Sequence, residues 1–121
     1  MNIGLQAYVK NSIEAVEFYK KAFSATLGYH AKNEDGTFLH AEIVLNGEII
    51  ISLSESFQWL EQGMNMQFCI NFGKDNKHSL ERAYEILKKD GQVRYPLGPC
   101  DWNECIADLT DKFGIRWYIA L

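Results

Sequence analysis

His40 and Glu42 stand two residues apart in the alternating stretch from Phe38 to Leu45. On a strand, that spacing sets both side chains on one face, where a carboxylate can orient an imidazole that takes or gives a proton. The same spacing also fits a hydrogen-bonded strand histidine beside a solvent-facing glutamate. Arg116 follows the turn Asp111-Lys112-Phe113-Gly114 and offers a planar fork of donors, either to an anionic ligand or to Asp108 or Glu42 in an ion pair. Cys100 and Cys105 flank Trp102, but no second cysteine pair or clustered histidine completes a tetrahedral metal set, and no base stands beside either thiol. The Trp102 ring can wall a cavity or pack in a loop. Glycine-rich phosphate loops, a serine nucleophile elbow and paired-carboxylate signatures are missing.

Positioning such residues takes a frame of strands and helices, and the hydrophobic period supplies one. Asn11 and Glu14 have capping-box spacing, and Ile13, Val16, Tyr19 and Phe23 follow as an apolar stripe, which predicts a helix over Asn11 to Phe23. Leu80, Ala83, Tyr84 and Leu87 predict a second helix over Asn76 to Lys89, stopped by Asp90-Gly91. Alternating strands precede each helix, at Ile3 to Val9 and Met64 to Phe72. Three more strands follow the first helix: Thr26 to Ala31, Phe38 to Leu45 and Glu48 to Ser54, the last two joined by the hairpin signal Asn46-Gly47. Gln92 to Tyr95, Glu104 to Leu109 and Ile115 to Leu121 follow the second. The chain therefore reads as βαβββ written twice, with modules at about residues 1–60 and 61–121 of a single domain.

Alternation sorts the strand residues into two faces. The apolar face carries Ile3, Leu5, Ala7 and Val9; Leu39, Ala41, Ile43 and Leu45; Ile49, Ile51 and Leu53; Met66, Phe68, Ile70 and Phe72; and Ile115, Trp117, Ile119 and Leu121. Two amphipathic helices must cover it. The opposite face carries Gln6, Tyr8, His40, Glu42, Ser52, Gln67, Cys69, Arg116 and Tyr118. It is too polar for a second core. It is either a solvated outer face or the lining of a concave cavity, and amides, hydroxyls, one imidazole and one guanidinium suit the second, since solvated faces more often carry lysine and glutamate.

Composition bounds the partners. The chain has 121 residues, 47% hydrophobic and 13% aromatic, enough for a core without disulfide or metal support. Twelve basic against sixteen acidic residues give a net charge of −4 without a basic block, which argues against nucleic acid and anionic membrane as partners. No long apolar run or signal-peptide pattern is present, so a cytoplasmic location is expected, where three cysteines are free thiols rather than a disulfide frame.

Tyr8-Val9, the run Glu14-Ala15-Val16-Glu17-Phe18-Tyr19-Lys20-Lys21-Ala22-Phe23, His40-Ala41-Glu42, Trp102 and Asp111-Lys112-Phe113-Gly114-Ile115-Arg116-Trp117 together resemble the PhnB-like branch of the vicinal-oxygen-chelate superfamily. That superfamily includes glyoxalase I and the bleomycin-resistance proteins. The resemblance implies an α+β fold of paired βαβββ modules, a cupped eight-stranded mixed sheet with helices on its outer face, and a homodimer. Some members of the branch carry ubiquinone-type demethylase or methyltransferase names, but no cofactor motif in this chain supports methyl transfer, and no cofactor is expected.

Metal enzymes of the superfamily place four ligands on the first and fourth strands of each module. Alignment through Phe18-Tyr19 and Phe113-Gly114 puts those positions at Gly4, Ser52, Gln67 and Tyr118. A hydroxyl, an amide, a phenol and no side chain do not balance a divalent cation. A slip of two residues brings in Gln6 and Ser54 and still no carboxylate. The reading is therefore a small-molecule binding protein or enzyme that works without metal, its ligand met by Gln6, Tyr8, His40, Glu42, Ser52, Gln67, Trp102, Arg116 and Tyr118. The alternative is a metal-dependent lyase, dioxygenase or thiol transferase with the unusual ligands Gln6, His40, Glu42 and Gln67.

Overall fold

The computed structural model describes residues 1–121, which fall into two compact units, Met1–Glu61 and Gln62–Leu121. The first contains β1 (Gln6–Val9), α1 (Ser12–Phe23), β2 (Thr26–Lys32), β3 (Phe38–Leu45) and β4 (Glu48–Glu55). Its sheet has the order β1-β4-β3-β2. β1 runs parallel to β4, and the other pairs are antiparallel. A parallel neighbour requires a long crossover, which α1, β2 and β3 provide. The second unit repeats the plan with β5 (Phe68–Asn71), α2 (Lys77–Leu87), β6 (Gln92–Cys100), β7 (Asn103–Thr110) and β8 (Arg116–Ala120), in the order β5-β8-β7-β6 with β5 parallel to β8. The architecture is α+β, the βαβββ layout twice. No helix is long and apolar enough to cross a membrane.

Local chemistry accounts for the boundaries. Asn46 and Gly47 both take positive φ, 53° and 80°, as the tight turn between β3 and β4 requires. Helix α1 starts where the Asn11 side chain accepts from Glu14 N and ends at Ser24, a left-handed residue whose N–H reaches the Lys20 carbonyl. It lays Ala15, Val16, Phe18, Tyr19, Ala22 and Phe23 on the sheet, above the fully buried Val9, Ala41, Ile43, Ile51 and Leu53. Ile13, expected in that stripe, is 48% exposed. In the second unit α2 buries Leu80, Ala83 and Leu87 against β7 and β8, over Ala107, Leu109, Trp117 and Ile119. Tyr84 is half-buried at the edge of this contact.

Two β-bulges correct the expected apolar face. Ala31 pairs with His40 and Lys32 with Phe38, so Leu39 is the extra residue. Phe38 turns into the core and Leu39 outward. Ile43 pairs with Ile51 and Val44 with Ile49, so Ile50 is extra, and Ile49 joins Val44 on the polar face. Alternation holds only while the register does. β1 and β5 are also shorter than their patterns predict. The β1–β4 ladder begins at Gln6 opposite Ser52, just past the Ile50 bulge; Leu5 joins it only through its carbonyl, which accepts from Ser52 N, and Ile3 lies outside. Ahead of β5, the Met64 carbonyl accepts from Arg116 and its sulfur from Arg94, and the Gln67 amide donates to Asp108, so both residues meet side chains instead of a strand. β6 is longer than expected, running on through Pro96 and Pro99. As an edge strand it tolerates the missing N–H groups, and its pairing with β7 shifts register three times along the way.

Candidate functional site

In the first unit the ladder sets Gln6 opposite Ser52 and Ser52 opposite Glu42, a polar row across three strands. Tyr8 stands opposite Ser54, and the Gln6 amide donates to the Ser54 hydroxyl at 2.9 Å. His40 and Glu42 meet as their spacing predicts: Nε2 lies 3.1 Å from Oε2, with 32% and 22% of the side chains exposed. The Tyr29 ring stands 6.0 Å from the imidazole, tilted at 44°. The carboxylate meets one ring nitrogen and so holds the orientation of the imidazole.

In the second unit Asp108 organises the polar face. Arg116 donates to it twice, Nη2 to Oδ2 at 2.9 Å and Nε to Oδ1 at 3.3 Å, and donates through Nη1 to the Met64 carbonyl at 2.8 Å. The carboxylate holds the Arg116 guanidinium further above its ordinary range. Of the partners open to Arg116 in the sequence, the structure shows Asp108. The Gln67 amide adds a long bond of 3.4 Å to the same carboxylate. Opposite Asp108 in the ladder stands Tyr118, which also pairs with Cys69. The Tyr118 hydroxyl accepts from Trp102 Nε1 at 2.9 Å, which ties an indole that is 72% exposed to the sheet. A cavity of about 460 Å³ opens beside that ring, bordered also by Lys74, Cys100 and Glu104.

Asp108, named from the sequence only as a possible partner of Arg116, belongs to this face, as do Thr110 and Arg94, which were not singled out. Ala107 and Leu109 point into the core, so the alternation places Asp108 and Thr110 opposite, a signal present in the sequence. Arg94 had no such signal, because the β6 register shifts at that point. The cysteines are free: Cys69 is exposed, Cys100 intermediate and Cys105 buried, and burial pushes the Cys105 thiol up, away from reactivity.

The donor set does not suit a divalent cation. Gly4 has no side chain, Gln67 is engaged with Asp108, and Tyr118 accepts from Trp102. No three His, Cys, Asp or Glu side chains gather as a metal site requires.

No family model matches the sequence, and no curated protein matches it significantly. Solved structures do. A PhnB protein from Bacillus cereus superposes with a TM-score of 0.83 at 21% identity, over 100% of this chain and 99% of that one. A protein from Pseudomonas aeruginosa gives 0.81 at 21% identity, over 99% and 96%. A variant of the fosfomycin resistance protein FosX from Listeria monocytogenes, solved with Mn(II) and a dihydroxypropylphosphonic acid, gives 0.71 at 12% identity, over 99% and 90%. The fold is thus that of the vicinal-oxygen-chelate proteins, PhnB-like and FosX structures among them.

Proposed function

We propose that this chain binds a small aromatic or amphipathic molecule on the polar faces of its sheets, as a homodimer and without a resident metal. The observation that carries this reading is the second unit's polar face. There a guanidinium already neutralised by Asp108, an amide, and a phenol linked to an exposed indole offer stacking area and hydrogen bonds, the usual makings of a small-molecule site. The Mn(II) of the FosX structure does not carry over, because the donors here are the wrong kind. Nucleic acid and membrane have no place in the reading, given a net charge of −4 without a basic block.

Elemental analysis of the purified protein, with a ligand screen by thermal shift, tests the proposal. Expected are far less than one Zn, Ni, Mn or Fe per chain and a raised unfolding temperature with aromatic compounds. A stoichiometric, tightly held metal overturns it. The second reading, a metal-dependent lyase, dioxygenase or thiol transferase, rests on the His40–Glu42 contact. Glyoxalase-type activity with added divalent metal, lost in His40→Ala, would establish it instead.

Assembly has its own motive. Ile3, Tyr29, Phe57, Trp59 and Met66 are all more than two-thirds exposed, apolar surface that a second copy of the chain would cover in part. Covering it by twofold pairing is the commonest solution. Sedimentation equilibrium should give about 28 kDa, twice the chain's 13.9 kDa. A single 13.9 kDa species at micromolar concentration would overturn the dimer.

A further inference from the structure

Arg94 is a half-buried guanidinium that meets no carboxylate. Its Nη1 donates to the Thr110 hydroxyl at 2.8 Å and its Nη2 to the Met64 sulfur at 3.0 Å. Both partners are neutral. The contrast with Arg116 is direct, since that guanidinium shares Met64 with Arg94 through the backbone carbonyl yet has its charge balanced by Asp108. The sequence spends a β-bulge on Arg94: Val93 pairs with Leu109 and Tyr95 with Asp108, so Arg94 is the residue in excess. Bulges re-aim side chains, and this one brings Arg94 to Thr110, on the strand face that carries Asp108. Beside it lies a cavity of about 350 Å³, bordered also by Thr110, Met64 and Lys112.

We propose that Arg94 holds an oxyanion, a carboxylate or phosphoryl group of the small molecule bound at this face, in the cavity beside Thr110. The proposal deepens the binding function proposed above and rests on it. A guanidinium has five N–H donors in a planar fork that matches two oxygens of one anion, and Arg94 spends two of them on neutral partners. Lys112 also borders the cavity, its ammonium over the Phe113 ring at 5.5 Å. Two carboxylates border it as well. Asp111 is turned inward, its oxygens accepting from Phe113 N, Ile115 N and Trp117 Nε1. Asp90 is exposed, where water screens it. Gly91 forms part of the wall, and a Cβ there would collide with the Thr110 carbonyl, so the backbone at the mouth stays close to the arginine's anchor.

The test is a backbone-amide NMR titration of the intact protein at constant ionic strength, with inorganic phosphate, benzoate and neutral benzyl alcohol as separate probes. Saturable shifts at Gly91, Thr110 and Gly114 are expected with phosphate, benzoate or both, and which of the two anions saturates tells a phosphoryl site from a carboxylate site. Arg94→Gln should weaken the anion about tenfold or more, while Arg94→Lys keeps the charge, loses the fork and weakens it less. Benzyl alcohol, which has no anionic group for the guanidinium to hold, should be weakened far less by either variant than the anions are. Absence of saturation with either anion, or equal binding by Arg94→Gln, overturns the oxyanion site. If benzyl alcohol still shifts the Trp102 indole and Tyr118 signals in that event, the small-molecule reading survives alone. Silence with all three probes removes both.

Discussion

Asp111→Ala should lower the stability of the protein by about 3–4 kcal/mol, because three donors lose one buried, charged acceptor. The carboxylate is 3% exposed. Oδ1 accepts from Phe113 N at 2.9 Å and Ile115 N at 3.1 Å, and Oδ2 accepts from Trp117 Nε1 at 2.8 Å. Its own backbone closes the turn, with Asp111 N donating to the Ile115 carbonyl and Gly114 N to that of Asp111. Hydrogen bonds to a charged acceptor contribute about 1.5–3 kcal/mol each, and they do not add fully when one group makes three. Removing the side chain also leaves the Trp117 indole N–H buried without an acceptor, beside a ring packed edge-on against Phe68 at 5.3 Å. Asp111→Asn keeps one acceptor oxygen but must aim an NH₂ at a donor, so about 2 kcal/mol is expected. Urea unfolding measures each. In a cycle with Trp117→Phe the two losses should couple by about 1 kcal/mol or more. A loss below about 1 kcal/mol in Asp111→Ala would mean that water replaces the carboxylate.

That turn was legible in the sequence, as were the elements whose signal lies within a few residues. The Asn46-Gly47 hairpin, the start of α1 at Asn11 and the 3.6-residue period of α2 depend on local sterics and on one buried stripe. Position on a sheet face was legible only between irregularities. Leu39, Ile50 and Arg94 each sit where one strand takes an extra step, and no pattern along a single strand records what its neighbour does. The length of β6 was hidden for a related reason. Two prolines argue against a strand, yet an edge strand has N–H groups to spare.

For the site the division is similar. His40 and Glu42 touch because two residues along a strand are neighbours on one face, a purely local fact. Arg116 and Tyr118 find Asp108 through the β7–β8 register, and Trp102 reaches Tyr118 from 16 residues away. Such pairings follow from topology, which the repeated βαβββ pattern suggests only in outline. Arg94 lay outside any pattern, because its place depends on a bulge and on the Met64 segment that leaves the sheet to meet it.

The cap of α1 shows the same limit. Asn11 and Glu14 have the spacing of a capping box, in which the glutamate would return to the Asn11 N–H. Asn11 does accept from Glu14 N, at 3.4 Å, but the Glu14 carboxylate meets the Asn11 side-chain amide instead, at 3.0 Å. The backbone N–H groups of Asn11 and Ser12 go to Glu55 on β4, at 2.9 Å and 2.7 Å. One carboxylate from the far end of the unit's chain thus takes two of the unpaired donors at the helix N-terminus, where the helix dipole favours negative charge. It also fastens α1 to the strand beside β1. We expect Glu55→Ala to cost about 2–3 kcal/mol, from two charge-assisted bonds discounted for partial exposure plus the dipole contribution. Glu55→Gln keeps one acceptor and should lose about half as much, and Glu14→Ala less than about 1 kcal/mol. Urea unfolding of the three variants gives the order. If Glu14→Ala proved the most damaging, the helix would be capped by its own first turn, and the contact from β4 would be incidental to its stability.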